Sequence, residues 1–381
     1  MKTALVYDWF VDGAGGGEKA FEAIYSLFPS PIYTLLQTPE STAGSPLAKA
    51  EFHRSFIQTM PRAMKSYRSY LPLFPMAIEQ LDLSGYDLII SCSHCVAKGV
   101  LTQADQIHLN YCYTPMRYAW DLYHQYLQED AVRGKIKGWM ARLFLHYLRM
   151  WDFQASRRVD AYACISRHVA KRIAKTYGRE AAVIYPPVNT DFYTLETKKE
   201  NYYLAASRLV GYKKIDVIVD AFAKMPDKKL VVVGEGPDLK KIKEKATSNI
   251  ELVGHQSDDA LKTFYQKAKC FLFAPIEDFG IMPVEAQSCG TPVLAFRKGA
   301  SLETVKDGAT GLFFGEQTPE SIREAVERFE KEKDAFDPTQ IRRHAETFSA
   351  KRFAEEFRAW VRSNWEVRDS LHTRYKTGAF S

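Results

Sequence analysis

The chain has 381 residues, of which 46% are hydrophobic and 26% are charged. This composition excludes a disordered chain and is typical of a folded protein with room for two domains of ordinary size. The net charge of +6 suits anionic ligands such as phosphates or acidic membrane surfaces, and by itself it is too small to favour nucleic acid. The six cysteines form neither a disulfide framework nor two zinc-ligand pairs, so we expect a reducing compartment and no metal site.

Apolar strands alternate with amphipathic helices along most of the chain, a pattern that predicts an α/β fold with parallel sheets. The first strand is predicted at residues 3–10, and Asp8 within it suits a buried strand rather than a secretion signal. No apolar run reaches the roughly 20 residues of a membrane span, so we expect a cytoplasmic protein, free or bound to the inner face of a membrane. Further strands of the first half are predicted at 31–36, 87–91, 107–112 and 161–165.

Pro186 and Pro187 divide the chain, because paired prolines fix an extended segment that continues neither a helix nor a central strand. We predict a first domain at 1–185 and a second at 186–348, with the C-terminal helix, about 349–381, packing back on the first. The second domain is predicted to have strands at 202–207, 229–234, 250–253, 270–274 and 292–296, with helices near 214–225, 237–247, 258–268, 282–289 and 318–331. Two doubly wound, Rossmann-like domains facing a central cleft would bind ligands on the loops that follow their strands.

A glycine-rich loop, DGAGGGEK at 12–19, lies between the first strand and the first helix. Glycines at a helix N-terminus let backbone N–H groups approach a phosphate. No Gly-Lys-Ser/Thr follows, and the predicted second strand ends in Leu-Leu-Gln instead of the acidic residue of a dinucleotide site. The loop is therefore either a phosphate-binding turn formed by Gly15, Gly16 and Gly17 or only a tight strand-to-helix connection.

Arg208 and Lys213 follow the first strand of the second domain, in SRLVGYKK. An arginine fork and a lysine point charge that leave one strand end can converge on a diphosphate. The alternative is a solvated basic turn.

Two glutamates, Glu277 and Glu285, stand eight positions apart in PIEDFGIMPVEA, the first after a strand and the second inside a helix. Gly280 permits a close backbone approach, and the helix N-terminus between the glutamates offers positive potential to an anion. Carboxylates on both sides can accept hydrogen bonds from sugar hydroxyls. The alternative is that Glu285 is an ordinary surface residue and the loop serves packing.

The chain resembles the large retaining glycosyltransferase family 4, of GT-B fold, through Arg-x4-Lys and the Glu-x7-Glu segment EDFGIMPVE. It is similar in particular to the WbaZ-like mannosyltransferase branch of that family, and the resemblance extends to about residue 365. The branch-like segments are DWFVDGAGGGEK, LPLFPMAIEQLDLSGYDLIISCSHCVAKGV, YCYTPMRYAWDLY and SRLVGYKKIDVIVDAF.

The resemblance implies a role for each matching donor-side residue. Arg208 and Lys213 would neutralise the donor diphosphate, while Glu277 and the backbone of 279–281 would hold the donor sugar. Glu285 would bind the ribose, and Gly15, Gly16 and Gly17 would press against the phosphates from the other domain. The implied donor-side set is Gly15, Gly16, Gly17, Arg208, Lys213, Glu277, Phe279, Gly280, Ile281 and Glu285, with Glu277, Arg208 and Lys213 acting in catalysis.

The acceptor side is less well defined by the resemblance. Related sequences often have His before Thr-Pro-Met-Arg, where this chain has Tyr113. The acceptor-side candidates are His94, Tyr113, Arg117, Trp120 and Asp121. Two stretches, 53–76 and 133–158, interleave basic and aromatic residues, which suits an interfacial helix on anionic lipid or recognition of a lipid-diphosphate acceptor. The alternative is ordinary amphipathic helices packed on their own domain.

The implied function is a retaining, metal-independent hexosyltransferase with no cofactor. The leading expectation is transfer of mannose from GDP-mannose to a lipid-linked or surface polysaccharide, with a glycan or polyprenyl-diphosphate-linked glycan as acceptor and no nucleic-acid partner. There is no Asp-x-Asp motif to hold a metal, so the two cations would stabilise the leaving diphosphate. The alternatives are a GT-B nucleotide-sugar epimerase or hydrolase, or a non-enzymatic basic membrane-binding protein.

Overall fold

The computed structural model describes residues 1–11, 13, 15–127 and 135–377. The chain divides into two compact units, and the division falls at the proline pair. Unit 1 is Met1–Tyr185 together with the chain from Phe353 onward, and unit 2 is Pro186–Arg352. Within the described residues, no helix has the length and apolar character needed to cross a membrane.

Unit 1 contains a parallel sheet. Its strands, over the described residues, are β1 (Thr3–Tyr7), β2 (Ile32–Thr34), β3 (Phe52–Arg54), β4 (Leu88–Ser93), β5 (Ile107–Cys112), β6 (Ala161–Cys164) and β7 (Ala181–Val183). They are arranged in the order β3-β2-β1-β4-β5-β6-β7. The central strands are buried on both faces, which explains why β1 and β4 read as continuous apolar runs. Because β1 has β2 on one side and β4 on the other, the strand order reverses between β1 and β4.

The helices of unit 1 cover both faces of this sheet. They are α1 (Gly16–Leu27), α2 (Pro39–Thr42), α3 (Ala63–Ser66), α4 (Phe74–Glu79), α5 (Tyr123–Tyr126), α6 (Lys135–Ser156) and α7 (Arg167–Tyr177), with 3₁₀ helices at Pro46–Lys49, Phe56–Thr59, Tyr67–Leu73 and Ala97–Gly99. The predicted strand at 3–10 ends early, at Tyr7. The edge strands β3 and β7, of three residues each, were not predicted, since such short strands show too little periodicity.

The basic and aromatic stretch 53–76 does not form one interfacial helix, so that part of the expectation is wrong. It is broken into short elements, with Pro61 in the turn before α3 and Pro72 inside a 3₁₀ helix. Arg62 between them has a left-handed backbone, with φ of 56°. Proline removes a backbone donor and clashes with the preceding turn, so a continuous helix cannot form here. The second stretch, 133–158, does contain a long helix, α6.

Unit 2 repeats the plan of a parallel sheet between helices. Its described strands are β8 (Glu200–Ala206), β9 (Leu230–Val233), β10 (Ile250–Gly254), β11 (Ala268–Phe273), β12 (Val293–Phe296) and β13 (Gly311–Phe314), in the order β10-β9-β8-β11-β12-β13. Its helices are α8 (Ile215–Ala223), α9 (Leu239–Lys245), α10 (Asp258–Lys267), α11 (Ile281–Ser288), α12 (Ser301–Thr304), α13 (Pro319–Glu332) and α14 (Pro338–Glu346), with 3₁₀ helices at Gly211–Lys213 and Lys333–Ala335. Here the order reverses between β8 and β11, and β13 was not predicted.

The last helix, α15 (Ala350–Thr377), starts in unit 2 and packs on unit 1. Phe353 and Phe357 are fully buried, and their rings lie 5.9 and 5.6 Å from that of Tyr111. One turn further, Val361 is also buried, so the spacing of four places an apolar stripe on one face of the helix. The long C-terminal segment is thus part of the core of unit 1.

Candidate functional site

The loops after β8 and β11 meet at the point where the strand order of unit 2 reverses. In open α/β sheets such a reversal leaves a crevice at the carboxyl ends of the two strands, because their crossover helices lie on opposite faces. The loop after β8 carries Arg208 and Lys213, and the loop after β11 carries Glu277. The residues singled out by the sequence therefore lie on the two loops where a ligand site is expected.

Lys213 and Glu277 are in direct contact. The Nζ of Lys213 donates a hydrogen bond of 2.5 Å to Oε1 of Glu277. Both side chains are partly buried, at 19% and 18% exposure, so the pair is less screened than a surface ion pair. An ammonium has three donors and a carboxylate has about four acceptor positions, so this bond leaves capacity on both groups for a ligand.

Arg208 lies on the same loop as Lys213, and its side chain is exposed. The loop itself is held by the glycine-rich turn after β9. The N–H of Leu209 donates to the carbonyl of Glu235 at 2.8 Å. Gly234 and Gly236 have positive φ, and a Cβ at either would collide with the backbone carbonyl of Ser207 or Leu209. Only glycine allows this close approach of two loops, which fixes the backbone that bears Arg208.

The loop of Glu277 is fixed from both ends. The N–H of Ala300 donates to the carbonyl of Glu277 at 3.0 Å, and Gly299, with φ of 72°, lies against the same peptide. Gly280, with φ of 74°, is the N-cap of α11, so the helix starts immediately after the loop. The free N–H groups and dipole of this helix start provide positive potential beside Glu277.

Glu285 is buried inside α11, at 6% exposure, so the alternative that it is an ordinary surface residue is wrong. Its Oε2 accepts a hydrogen bond of 3.3 Å from the hydroxyl of Tyr265. Burial, followed by the charge of Glu285, raises the pKa of Tyr265 well above its usual value, so the hydroxyl keeps its proton and donates. The Glu285 carboxylate is thus held in one orientation.

Unit 1 has a corresponding pair at its own strand reversal. Asp8 follows β1 and is fully buried, and His94 follows β4. Oδ2 of Asp8 lies 3.0 Å from Nδ1 of His94. The carboxylate also accepts four backbone N–H bonds of 2.6 to 2.9 Å, from residues 94 to 97. Carboxylate oxygens only accept, so a hydrogen bond between Asp8 and His94 requires a proton on Nδ1; in the neutral tautomer that carries this proton, Nε2 is the acceptor nitrogen.

Tyr113 holds the glycine-rich loop in place. Its hydroxyl donates to the carbonyl of Gly17 at 3.0 Å. A Cβ added at Gly17 would lie 3.6 Å from the Tyr113 ring. Burial raises the pKa of Tyr113 well above its usual value, so this donor is permanent at neutral pH. Gly15 starts α1, and its N–H donates to the Glu18 carboxylate at 3.0 Å. Tyr113 is therefore a positioning residue for the turn that starts α1.

The other acceptor-side candidates make contacts within unit 1. Nε1 of Trp120 donates to Oδ2 of Asp152 at 2.8 Å, and Asp121 forms an ion pair of 2.5 Å with Nε of Arg172. Arg117 is half-buried, and the N–H of Leu122 donates to its carbonyl at 2.8 Å. The structure does not bring these three side chains to the Asp8–His94 pair by any described contact, and they stay predictions.

Sequence reasoning missed three parts of this arrangement. Asp8 was assigned only to a strand, although a carboxylate in an apolar strand end is a signal for a buried polar network. The Gly-x-Gly of residues 234–236 begins at the last residue of a predicted strand, 229–234, which indicates a close backbone approach. Gly299 has no comparable signal, because its partner loop is more than 20 residues away in the chain.

Residues 189–366 match the family model for glycosyl transferases group 1. An uncharacterized glycosyltransferase of Methanocaldococcus jannaschii is 30% identical over 201 residues, which is 51% of this chain and 54% of that protein. A GDP-mannose-dependent alpha-(1-6)-phosphatidylinositol monomannoside mannosyltransferase of Mycolicibacterium smegmatis is 29% identical over 199 residues, 44% of this chain and 52% of that protein. The O-antigen chain mannosyltransferase RfbU of Salmonella typhimurium is 27% identical over 200 residues, 50% of this chain and 56% of that protein. The chain thus spans about half the length of these curated relatives.

The fold has solved counterparts. The crystal structure of Anabaena HepE in complex with UDP superposes with a TM-score of 0.70 at 15% identity, covering 95% of this chain and all of that one. At this identity the likeness concerns the fold, which is GT-B. Residues 189–366, which contain the Lys213–Glu277 pair, are thus the part of the chain that is similar to glycosyl transferases group 1.

Proposed function

We propose that the protein is a retaining, metal-independent glycosyltransferase that moves mannose from GDP-mannose to a lipid-linked or surface polysaccharide, as in the WbaZ-like branch. The observation that carries the proposal is the Lys213–Glu277 contact at the strand reversal of unit 2, within the segment that matches the family. The choice of GDP-mannose is supported by the mannosyltransferases among the relatives, one of which is named as GDP-mannose-dependent. The acceptor class is supported by RfbU, an O-antigen chain enzyme.

The chemistry follows from where charge develops. Breaking the anomeric bond leaves negative charge on the departing diphosphate, and Arg208 and Lys213 are the cations of the loop that would receive it. Lys213 is already held by its contact with Glu277, so its charge would need little reorganisation during the reaction. In this proposal the two cations do the work that a metal does in other glycosyltransferases, and no cofactor takes part.

Glu277 and its loop would orient the sugar. The carboxylate accepts hydroxyl hydrogen bonds, while its bond to Lys213 ties the sugar position to the diphosphate position. The backbone of residues 279–281 would lie beside it, at the start of α11. The buried Glu285, held by Tyr265, would accept the ribose hydroxyls in a fixed geometry. Attack from the face that the leaving group vacates gives retention through an oxocarbenium-like state.

On the acceptor side we assign His94 as the candidate base, oriented by Asp8. Its Nε2 could accept the proton of the attacking hydroxyl, and the hydrogen-bonded carboxylate would stabilise the imidazolium that results. Gly15, Gly16 and Gly17 would contribute backbone N–H groups. The location that accompanies this proposal is the cytoplasm, at the inner face of the membrane.

The test is a thermal shift measured in EDTA against GDP, UDP, ADP and their sugar conjugates. A ligand at about 100 times its Kd stabilises the native state by about 2.7 kcal/mol. For a unit of this size that raises Tm by roughly 5–10 °C. We expect this shift with GDP and GDP-mannose, and we expect Lys213→Met to remove it, while Lys241→Met, an exposed lysine of the same unit, keeps it.

Each outcome of this test bears on a different part of the proposal. A shift with UDP alone would contradict the mannose donor while keeping the transferase. A separate assay of donor turnover distinguishes the enzyme classes, since consumption of GDP-mannose that needs no acceptor would favour an epimerase or hydrolase. No shift with any nucleotide would overturn the enzyme proposal altogether.

A further inference from the structure

The solvent side of α6 is rich in large apolar side chains. Side chains of this helix are described from Gly138 onward, and the exposed apolar ones range from 63% exposure at Trp139 to 40% at Phe153. We call this set the α6 outer face: Trp139, Met140, Leu143, Tyr147, Met150 and Phe153. Steps of three and four residues place Trp139, Leu143, Tyr147 and Met150 on one side of the helix.

The opposite side of α6 is packed in the core of unit 1, so the apolar residues of the outer face are not the ones that the helix buries. Leu145, Leu148 and Ala155 are fully buried in the core of unit 1. Asp152, also fully buried, accepts hydrogen bonds from Trp120 and from Tyr177 and pairs with the buried Lys98. Breaking a buried charge pair is strongly unfavourable, so this network fixes which face of the helix points outward.

The exposed His146 and Gln154 lie among the apolar side chains of the α6 outer face. A folded protein rarely leaves so many large apolar side chains together in water without a partner. The residue types here favour one partner. Tryptophan, tyrosine and phenylalanine prefer the boundary between an apolar phase and water, since each combines a large apolar surface with a π-system or polar tip. The outer face combines three aromatic residues with leucine and methionine. This composition is typical of a helix that lies in a lipid headgroup region.

The charges beside the outer face have one sign. Arg142 within α6 and Arg157 immediately after it are both exposed. The sequence of α6 adds Lys135 and Lys137 at its start, and its one acidic residue is the buried Asp152. An anionic lipid surface attracts such a set, and no exposed carboxylate between Gly138 and Arg157 opposes it.

We propose that the α6 outer face is a membrane-docking surface that inserts its aromatic and aliphatic side chains into the headgroup region of an anionic bilayer. Arg142 and Arg157 contact the lipid phosphates. The proposed function places the protein at the inner face of a membrane, and the α6 outer face is the surface that would bind that membrane. The residues of this face belong to unit 1, whereas the donor site belongs to unit 2. Vesicle binding and nucleotide binding are separate measurements, so either can fail without the other.

The experiment is vesicle flotation with the full chain. Wild type is expected to float with vesicles that contain a quarter phosphatidylglycerol and to bind pure phosphatidylcholine at least about tenfold less. The double variant Leu143→Glu, Met150→Glu is expected to lose at least about tenfold in partition to the anionic vesicles. Its matched control is Leu302→Glu in unit 2, where the leucine is 53% exposed against 56% for Leu143, and which keeps wild-type binding.

Two further variants keep the test decisive if the double variant folds poorly. Trp139→Phe is expected to bind vesicles normally and to lose most of the blue shift in tryptophan emission that binding produces. Arg142→Gln with Arg157→Gln, which disturbs no apolar packing, is expected to lower partition to anionic vesicles severalfold. Unchanged thermal unfolding and unchanged nucleotide binding verify that the donor unit is intact in each variant.

Three results would overturn the proposal. Wild type could fail to bind anionic vesicles, or the acidic double variant could bind as tightly as wild type. The third is that wild type forms a dimer that the double variant abolishes, with no vesicle binding, which would assign the face to a second copy of the chain.

Discussion

In each unit, a contact that involves a charged side chain joins the two loops at the strand reversal. These loops follow β1 and β4 in unit 1, and β8 and β11 in unit 2. In unit 2 this contact is Lys213–Glu277, between residues 64 positions apart, and in unit 1 it is Asp8–His94, 86 positions apart. Both arise because a doubly wound sheet brings the ends of these two strands together. The same topology thus builds a polar pair twice from unrelated residues.

At the level of single residues, the sharpest prediction concerns Glu277. We expect Glu277→Gln to reduce transfer at least about 100-fold, because the neutral amide no longer attracts Lys213 and presents a donor where sugar hydroxyls need an acceptor. GDP should still raise Tm, while the additional stabilisation by GDP-mannose over GDP should disappear. The measurements are initial transfer rates and thermal shifts with both ligands.

The matched control for this variant is Glu251→Gln. Glu251 also pairs with a lysine, Lys229, at 3.0 Å, but both side chains are more than half exposed. It should behave as wild type, since exposed pairs contribute little. Wild-type transfer by Glu277→Gln would remove Glu277 from the site.

At the level of elements, glycines hold the loops that follow the strands of unit 2. The best test is Gly299, where a Cβ would lie 2.8 Å from the carbonyl oxygen of Glu277. Gly299→Ala should therefore displace the Glu277 peptide and lower transfer at least about tenfold, since small misplacements at a reacting centre cost this much. Transfer rate and Tm should be measured together.

Gly308→Ala is the control for backbone strain alone. Gly308 has φ of 73°, against 72° at Gly299, and a Cβ there would have no neighbour within 4 Å. Both variants should lose the roughly 1–2 kcal/mol that a left-handed alanine costs. Only Gly299→Ala should lose activity, and equal transfer rates in the two variants would show that the contact with Glu277 is unimportant.

At the level of the whole molecule, stability should depend on the protonation of His108 in the central strand β5. It is fully buried, and its Nε2 lies 2.6 Å from the Ser91 hydroxyl. Burial lowers the pKa of His108 from 6.5 to about 3. The unfolded chain therefore takes up a proton near pH 6.5 that the folded chain refuses until about pH 3.

The stability that neutral His108 provides is present above pH 6.5 and is lost as the pH falls through that value, by about 2 kcal/mol at pH 5. We expect the Tm of His108→Gln, relative to wild type, to rise steadily as the pH is lowered from 7 to 5. His53→Gln, at an exposed histidine of the same unit, should run parallel to wild type. Parallel profiles for both variants would show that His108 does not control this loss.

The α/β class and the approximate positions of most strands follow from the sequence alone, since buried parallel strands read as apolar runs and the intervening helices show the 3.6-residue period. The proline pair at 186–187, which stands at the unit boundary, is likewise visible without a structure, because proline fixes its own backbone. Arg208, Lys213, Glu277 and Glu285 could be singled out because charged residues and a glycine follow predicted strands. These signals are local, and local propensity is what a sequence displays.

Only the tertiary structure decided which of these residues touch. Strand order brings Lys213 into contact with Glu277 and Asp8 into contact with His94, and it buries Glu285 beside Tyr265. The periodicity of the sequence does not specify strand order. The same holds for α6, whose sequence mixes apolar, aromatic and basic residues around the helix. Its buried Asp152 pairs with Lys98, 54 residues away, and this pairing determines that the apolar outer face meets the solvent.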